Sequence, residues 1–289
     1  MGSLEDQKAL GIMASAPPLA PLGDADAFLN AVPIAELASM WCALQRLSRR
    51  DRTGGAWTVF LYFDHLPHRS PQRALDLVLE VLRTETDKPT LMQLNNKLMP
   101  ALLHVHGAEV VDRIEEEARQ NPKLRWLIGG LGFAMPEALQ PRMGAIADAE
   151  AWDQDERARR RAIRPLDPAA MSLAELARAW VEQYSKSDRD RDDNFFVMMD
   201  HECELREDDP DKAIDLILAI LEIETNPVLL SMLAAGPLED IISMQTIDRI
   251  EREAAANKRF HDLLGGVWYY RASDELKARL DALIGPVRR

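Results

Sequence analysis

The sequence predicts an all-α protein built as a tandem duplication of one helical-bundle unit. Three observations support this fold class: an internal repeat, a helix-favouring composition, and helix starts that recur at corresponding places in the two copies. Hydrophobic residues make up 47% of the 289 residues, charged residues make up 29%, and there are only 14 glycines. Such a composition is typical of a globular helical protein, and the length is sufficient for two domains with separate cores.

The internal repeat is visible without alignment to any other protein. The segment Ile-Ala-Glu-Leu-Ala-Ser-Met-Trp, ending at Trp41, returns as Leu-Ala-Glu-Leu-Ala-Arg-Ala-Trp, ending at Trp180. A copied unit of this size indicates a domain duplication, because solenoid repeats are much shorter. Five segments recur in the same order, with offsets between 136 and 139 residues: 34–41 with 173–180, 63–65 with 199–201, 74–79 with 213–218, 111–118 with 247–254, and 129–130 with 265–266.

The helix starts are the clearest local signal in the repeat. Ser70-Pro71 and Asp209-Pro210 each place a capping side chain before a proline at the first helical position. Serine and aspartate oxygens accept hydrogen bonds from the free N–H groups of a first helical turn, and proline there needs no donor. The apolar segments that follow are therefore interpreted as helices and not as buried strands.

Two further repeated features lead to expectations about packing. The glycine pairs at 129–130 and 265–266 are expected at helix C-termini, where a residue with positive φ is needed. Trp41 and Trp180 lie on the apolar stripe of the first helix of each copy. Both tryptophans are predicted to be equivalent and buried.

The chain is predicted to have four parts. The apolar stretch near the N-terminus contains three prolines and follows acidic residues, so it does not fit a secretory signal. No apolar run is long enough to span a membrane, and two cysteines do not make a disulfide framework, which favours a cytoplasmic location. The predicted parts are a mobile leader at 1–30, a helical unit at 31–147, an exposed charged helix and stiff linker at 148–170, and a second helical unit at 171–285.

The acidic charge is concentrated in the second copy. Residues 34–147 carry 14 Lys/Arg against 13 Asp/Glu, whereas residues 172–285 carry 13 against 25. The net charge of −13 disfavours binding to a nucleic acid backbone. An acidic surface accelerates encounter with a basic protein, although solubility alone explains such a surface equally well. The expected partner-binding residues are Asp188, Asp190, Asp192, Asp193, Glu204, Glu207 and Asp208.

The second copy resembles a bacterial family of unknown function. The resemblance is carried by Ala-Ala-Gly-Pro-Leu-Glu-Asp at 234–240, by Ile-Asp-Arg-Ile-Glu at 247–251, and by the ending Leu-Gly-Gly-Val-Trp at 264–268. The first copy is a diverged duplicate that lacks both the Gly-Pro-Leu-Glu-Asp block and the Gly-Val-Trp ending. The resemblance implies a helical fold and a bacterial source, and no activity is known for the family.

Candidate catalytic residues are few. Asp64-His65 and Asp200-His201 could each supply a base with its orienting carboxylate, or part of a metal site. Adjacent helical residues point about 100° apart, however, so a polar pair at a helix end explains the pattern better. An apparent calcium loop at 188–199 lacks the glycine and glutamate that such loops require.

No cofactor or metal is predicted, and three functions stay open. The preferred function is a non-enzymatic, immunity-like or regulatory protein that recognises a basic protein partner through the acidic surface of the second unit. The alternatives are an enzyme of unrecognised type that uses the Asp-His pairs, and a structural or assembly protein. Neither nucleic acid nor a membrane is an expected partner.

Overall fold

The computed structural model describes residues 9–11, 13, 22–132 and 135–285. Every regular element in these residues is helical, which confirms the all-α prediction. The chain divides into two units. Unit 1 contains the described residues up to Ser48, with Arg52–Ile163 and Ser187–Asp190; unit 2 contains Arg49–Asp51, Arg164–Lys186 and the described residues from Arg191 onward.

Between Leu22 and Arg161, the described residues of unit 1 form nine α-helices around one apolar core. The core forms where α2 packs against α4, and where α6 packs across α3 and α4. The last helix, α9, packs against α7. The helices are α1 (Leu22–Ala31), α2 (Ile34–Arg46), α3 (Gly55–Arg69), α4 (Pro71–Thr84), α5 (Lys88–Met92), α6 (Leu98–Gln120), α7 (Pro122–Gly129), α8 (Gln140–Ile146) and α9 (Ala149–Arg161).

Unit 2 repeats this arrangement with a shorter set of helices. Here α10 packs against α12, and α11 packs against both. A π-helical turn, Ala234–Leu238, follows α13 directly. The helices are α10 (Leu173–Ser185), α11 (Asp193–Asp208), α12 (Pro210–Ile223), α13 (Pro227–Leu233), α14 (Glu239–Ile241), α15 (Ile247–Ala256), α16 (Lys258–Leu264) and α17 (Asp274–Ile284).

The same long-range ion pairs recur in the two units, which confirms the tandem duplication beyond the helix order. Arg113 binds Asp76 in unit 1, and Arg249 binds Asp215 in unit 2. The aspartates differ by 139 residues and the arginines by 136, so unit 2 is three residues shorter between α12 and α15.

A second repeated clamp joins the ends of two helices in each unit. Lys123 donates to the backbone carbonyls of Leu82 and Glu85. Arg259 donates in the same way to the carbonyls of Leu221 and Glu224. These bonds satisfy carbonyls that a helix C-terminus would otherwise leave without a partner.

Both repeated tryptophans are buried, as predicted. Trp41 is 3% exposed and Trp180 is 0% exposed. Fully burying a large apolar side chain contributes about 1.5–3 kcal/mol to stability. In unit 2 the Trp180 indole stacks on the Tyr184 ring, with ring centroids 4.2 Å apart. Each ring carries one polar group, the indole N–H or the phenol hydroxyl.

The expectation that the paired glycines need a positive φ is wrong. Gly130 and Gly265 have φ values of −88° and −63°, so neither glycine needs the left-handed region. The second glycine of each pair instead permits close approach. A Cβ on Gly130 would lie 2.2 Å from the Trp152 ring, and one on Gly266 would lie 2.9 Å from the Ala234 Cβ.

Two predicted segments differ from the structure. The leader prediction for 1–30 lies largely outside the described residues, but helix α1 falls within it and its Leu29 is fully buried. Leu29 is therefore part of the unit 1 core. The charged helix α9 has no fully buried residue, yet Trp152 packs 4.8 Å from the Trp126 ring and Asp155 accepts a hydrogen bond from the Trp126 indole.

Candidate functional site

Unit 2 contains a cavity of about 460 Å³ between α10, α11, α12, α13 and the π-helical turn. Pockets that bind small molecules commonly have volumes of about 300–1,000 Å³ and apolar walls with a few polar groups. The walls here are mainly aliphatic, from α12 and α13. The polar groups are contributed by Trp180, Tyr184, Glu202, Cys203, Arg206 and Asp240.

Glu202 occupies a position that the helix pattern reserves for an apolar residue. Phe195, Met198 and Leu205 are the buried apolar residues of α11. With Glu202 they form one stripe at spacings of three, four and three residues, the period of a core-facing helix surface. The glutamate therefore points inward because of its place in the helix.

Burial determines the protonation of this side chain. Removal from water, with a smaller contribution from the neighbouring charge of Asp240, raises the pKa of Glu202 to about 8. The adjacent Tyr184 hydroxyl and Trp180 indole oppose the shift. At neutral pH the Glu202 carboxyl is thus mostly protonated.

Two buried polar atoms in this cluster make no hydrogen bond of normal geometry within the described part of the chain, although the Trp180 indole is close enough to Glu202 to stabilise its carboxylate. They are Oε1 of Glu202 and Nε1 of Trp180. A buried polar atom without a partner costs about 1–3 kcal/mol, so native proteins usually satisfy such atoms. The two atoms belong to residues that line the same cavity.

Arg206 lines the cavity but is engaged elsewhere. Its guanidinium lies 2.9 Å from Asp240 and 3.3 Å from Glu207. Burial also raises the pKa of the Tyr184 hydroxyl, and the Glu202 carboxylate raises it further. Among the residues that line the cavity, therefore, no cation is paired with Glu202.

The π-helical turn forms one wall of the cavity through Ala235, Gly236 and Pro237. Proline lacks an N–H and clashes with the carbonyl four residues earlier, which a widened turn relieves. The Glu239 N–H accordingly donates to the carbonyl of Ala234, five residues earlier. Such turns are frequent at functional sites.

The Leu-Gly-Gly-Val-Trp segment braces this wall. Gly266 allows the backbone to approach the Ala234 side chain closely. The backbone N–H of Trp268 donates to the Glu239 carboxylate at 3.0 Å. Two of the sequence segments that carry the family resemblance thus meet at the cavity wall.

The two Asp-His pairs do not form hydrogen-bonded dyads in the part of the chain that the structure describes. Both pairs lie inside helices, not at helix ends as expected, and neither aspartate is hydrogen-bonded to its neighbouring histidine in the described chain. Asp64 binds Lys97 at 3.1 Å, His201 lies 3.5 Å from Glu204, Asp200 is exposed, and His65 is half-buried.

The pairs are also not equivalent positions. The C-cap residues of α3 and α11, Ser70 and Asp209, have nearly identical dihedral angles and are 139 residues apart. At that offset His65 corresponds to Glu204, and Phe63 corresponds to Glu202. The match between the Asp-His pairs, at an offset of 136, is therefore out of register by three residues.

Four of the seven expected partner-binding residues have a role in the local structure, as ion-pair partners, hydrogen-bond acceptors or first-turn residues of a helix. Asp188 binds Arg52 at 2.7 Å, and Asp190 accepts a hydrogen bond from the Ser187 hydroxyl. Asp192 caps α11 by accepting from the Asn194 N–H. It also binds Lys186, while Asp193 is the first residue of α11, where the helix dipole favours a carboxylate.

The other three acidic residues lie on the C-terminal half of α11. The side chains of Glu204 and Glu207 are 71% and 73% exposed, and Asp208 is also exposed. Of the seven, these three are the most available to a partner.

Neither a metal cluster nor a membrane span occurs in the residues that the structure describes. No group of three or more His, Cys, Asp or Glu side chains there is placed to hold a metal ion. None of the described helices is both long enough and apolar enough to cross a membrane.

Sequence reasoning missed the cavity residues. The periodicity predicts Trp180 only as a core residue, and the repeat gives no signal for Tyr184. The available signal for Glu202 is its place on the apolar stripe of α11, because a carboxyl at such a position faces the core.

The chain belongs to DUF6869, a family of unknown function. The family model matches twice, at residues 45–151 and 185–286, which together cover more than half of the chain. The two matches agree with the duplicated helical unit. No curated protein and no solved structure matches the chain.

Proposed function

We propose that unit 2 is a small-molecule-binding domain that holds a largely apolar ligand in the cavity around Glu202. The observation that supports this proposal is the pair of unsatisfied buried atoms, Glu202 Oε1 and Trp180 Nε1, in residues lining one apolar cavity. A ligand with a polar group on an apolar body would give the Glu202 oxygen a partner and fill the volume.

The comparison between the units supports the same proposal. The position of Glu202 is occupied in unit 1 by Phe63, which is buried and apolar. The helical fold therefore does not require a carboxyl there. A group that costs stability and is not needed for folding is best explained by a role in binding.

The test uses the full chain and the fluorescent apolar probe N-phenylnaphthylamine. Gly236 lines the cavity, and a Cβ at this residue meets no atom within 4 Å. Gly236→Leu should therefore fill the cavity without an initial backbone clash. We expect the wild-type protein to bind the probe saturably and this variant to bind it at least tenfold more weakly.

Gly144→Leu in unit 1 is the matched control. Gly144 is exposed, and a Cβ there also meets no atom within 4 Å. This variant should bind the probe as the wild type does. If the two leucine variants bind equally well, or if the wild type shows no saturable binding, the cavity is not a ligand site.

Recognition of a basic protein in the bacterial cytoplasm is retained as a second proposal, now centred on Glu204, Glu207 and Asp208. Their exposure on one half of α11 favours it. Charges of this kind act mainly on the rate of encounter. Replacing all three by their amides should slow association with a basic protein recovered from the native cell, and raised salt should remove the difference. Equal rates at low salt would exclude this surface.

A further inference from the structure

The geometry points to a cationic amine on an apolar body as the ligand class of the unit 2 cavity, with Glu202 as its counter-ion. This inference rests on the proposed binding function and adds the chemistry of the polar group. It follows from the charges around the cavity, from the aromatic rings that shield Glu202 from water, and from the carboxyl oxygen that lacks a partner.

The charges favour a cation. The ionisable groups that line the cavity are Tyr184 from α10, Glu202, Cys203 and Arg206 from α11, and Asp240 from α14. Arg206 is held by Asp240 and Glu207, so an ionised Glu202 leaves one uncompensated negative charge. The α12 and α13 side chains that face the cavity are uncharged: Ala213, Leu216, Ile217, Ile220 and Met232.

Arg49 is the other cation that acts on this cluster. Its charge lowers the pKa of the Tyr184 hydroxyl, although burial has the larger and opposite effect. The guanidinium itself lies 5.3 Å from the Phe195 ring centroid. The causes that determine the pKa of Glu202 include no basic side chain. Among these causes, therefore, no basic side chain neutralises Glu202, and a ligand cation can take that role.

The aromatic groups favour the same ligand. Trp180 and Tyr184 are stacked with an angle of 13° between their rings, and both line the cavity beside Glu202. The two rings cover each other and are 0% and 8% exposed, so they keep water away from a charge pair at Glu202 and thereby strengthen its electrostatic attraction. An ammonium group at this place would donate to Glu202 Oε1, the oxygen that lacks a partner. The carboxylate would in turn accept from the Trp180 indole N–H, an interaction that already lowers the pKa of Glu202.

A neutral hydrogen-bond acceptor is the competing ligand chemistry. The protonated Glu202 carboxyl and the Trp180 N–H could both donate to a carbonyl or hydroxyl oxygen. The two chemistries differ in proton balance. An amine binds the carboxylate, so Glu202 must release its proton to solvent, whereas a neutral acceptor leaves that proton in place.

The experiment compares naphthylethylamine, naphthylethanol and naphthylacetate by titration calorimetry with the full chain. Titrations at pH 7 in two buffers of different ionisation enthalpy count the protons released. We expect the amine to bind about ten- to a hundredfold more tightly than the alcohol, and the acetate to bind most weakly. Amine binding should release close to one proton, and alcohol binding none.

The dependence on pH gives a second readout. Between pH 6 and 8 the amine stays protonated while Glu202 loses its proton. Because only the carboxylate pairs with the amine, its affinity should rise about tenfold per pH unit well below pH 8 and then level off. Alcohol binding should fall or stay constant over the same range.

Glu202→Gln is the matched variant, since it keeps the shape and removes the charge. It should abolish proton release and the preference for the amine, while the alcohol still binds. Alcohol binding as tight as amine binding, or amine binding without proton release, would overturn the inference and leave the proposed function intact. Failure of all three compounds and of N-phenylnaphthylamine would overturn both.

Discussion

Helices α3 and α11 are the same element in two copies of one fold, yet they bury different groups. With their C-caps in register, Phe63 of unit 1 stands where unit 2 has Glu202. In the preceding helices, α2 and α10, the same offset places Gln45 where unit 2 has Tyr184. The tryptophan of the preceding helix is kept in both. The difference shows that this fold accepts an apolar residue at this position. Packing therefore does not explain the carboxyl that unit 2 has there.

The largest expected effect comes from moving the carboxyl into unit 1. Phe63→Glu removes a large buried side chain and buries an ionisable group without the tyrosine that accompanies Glu202. The free energy of unfolding of unit 1 should fall by about 4–6 kcal/mol. Hydrogen exchange of peptides from α4 measures this loss, while peptides from α12 report unit 2. A loss below about 2 kcal/mol would mean that both units tolerate a carboxyl there.

The shared tryptophan should matter nearly as much in unit 2. Trp180→Ala opens the wall between the core and the cavity, and large-to-small changes of this kind cost about 3–5 kcal/mol. The same exchange experiment should show the loss in α12 peptides. Unchanged exchange in unit 2 would indicate that the indole is not a core residue, contrary to its complete burial.

Glu202 should make the stability of unit 2 dependent on pH in a direction opposite to that of most acids. Its pKa is about 8 in the folded protein and about 4.3 in an unfolded chain. Between these values the folded state holds a proton that the unfolded state has released. The free energy of unfolding therefore falls as pH rises from about 4.3 to about 8, by up to about 1.4 kcal/mol per unit, and then stays constant.

Glu202→Gln should remove this contribution to the slope, and Glu204→Gln, on the exposed face, should leave it unchanged. The measurement is urea unfolding of the full chain at several pH values, with α12 exchange to assign the transition. A wild-type slope equal to that of Glu202→Gln would show that the carboxyl is ionised throughout.

The two glycine pairs offer a smaller test. Gly266→Ala should press on Ala234 and cost unit 2 about 1–3 kcal/mol, as overpacking usually does. Gly130→Ala should instead displace Trp152 and increase exchange in α9. Gly236→Ala is the control, because a Cβ there meets no atom within 4 Å. Equal effects of all three substitutions would contradict the close approaches.

Substitutions of the acidic residues should differ by a smaller amount still in their effect on the free energy of unfolding. Asp192→Ala removes the cap of α11 and its bond to Lys186, and should cost about 1 kcal/mol. Glu207→Gln, on an exposed side chain, should change the free energy of unfolding by less than about 0.5 kcal/mol. A negligible effect of Asp192→Ala would mean that this cap does not contribute to stability and that Asp192 is a surface charge available to a partner.

Much of the fold was predictable because its signals are local and occur twice. The prolines at 71 and 210, the capping residues before them and the repeated apolar stripes specify helices without reference to distant residues. Burial of Trp41 and Trp180 followed from the same periodicity. The match between Asp64-His65 and Asp200-His201 shows the limit of such local signals. The two pairs are identical in sequence, but the capping pattern shows that they are three residues out of register.

The sequence by itself determined that this protein is an all-α tandem duplication with two buried tryptophans, because periodicity, capping and repetition are properties of neighbouring residues. Only the tertiary structure decided that Gly266 serves a close approach and that Asp192 serves a helix cap. The cavity, too, was decided by tertiary structure, because it requires Trp180, Glu202 and the turn at Ala234–Leu238 to meet. These residues are separated along the chain, and the pKa of Glu202 depends on their joint exclusion of water.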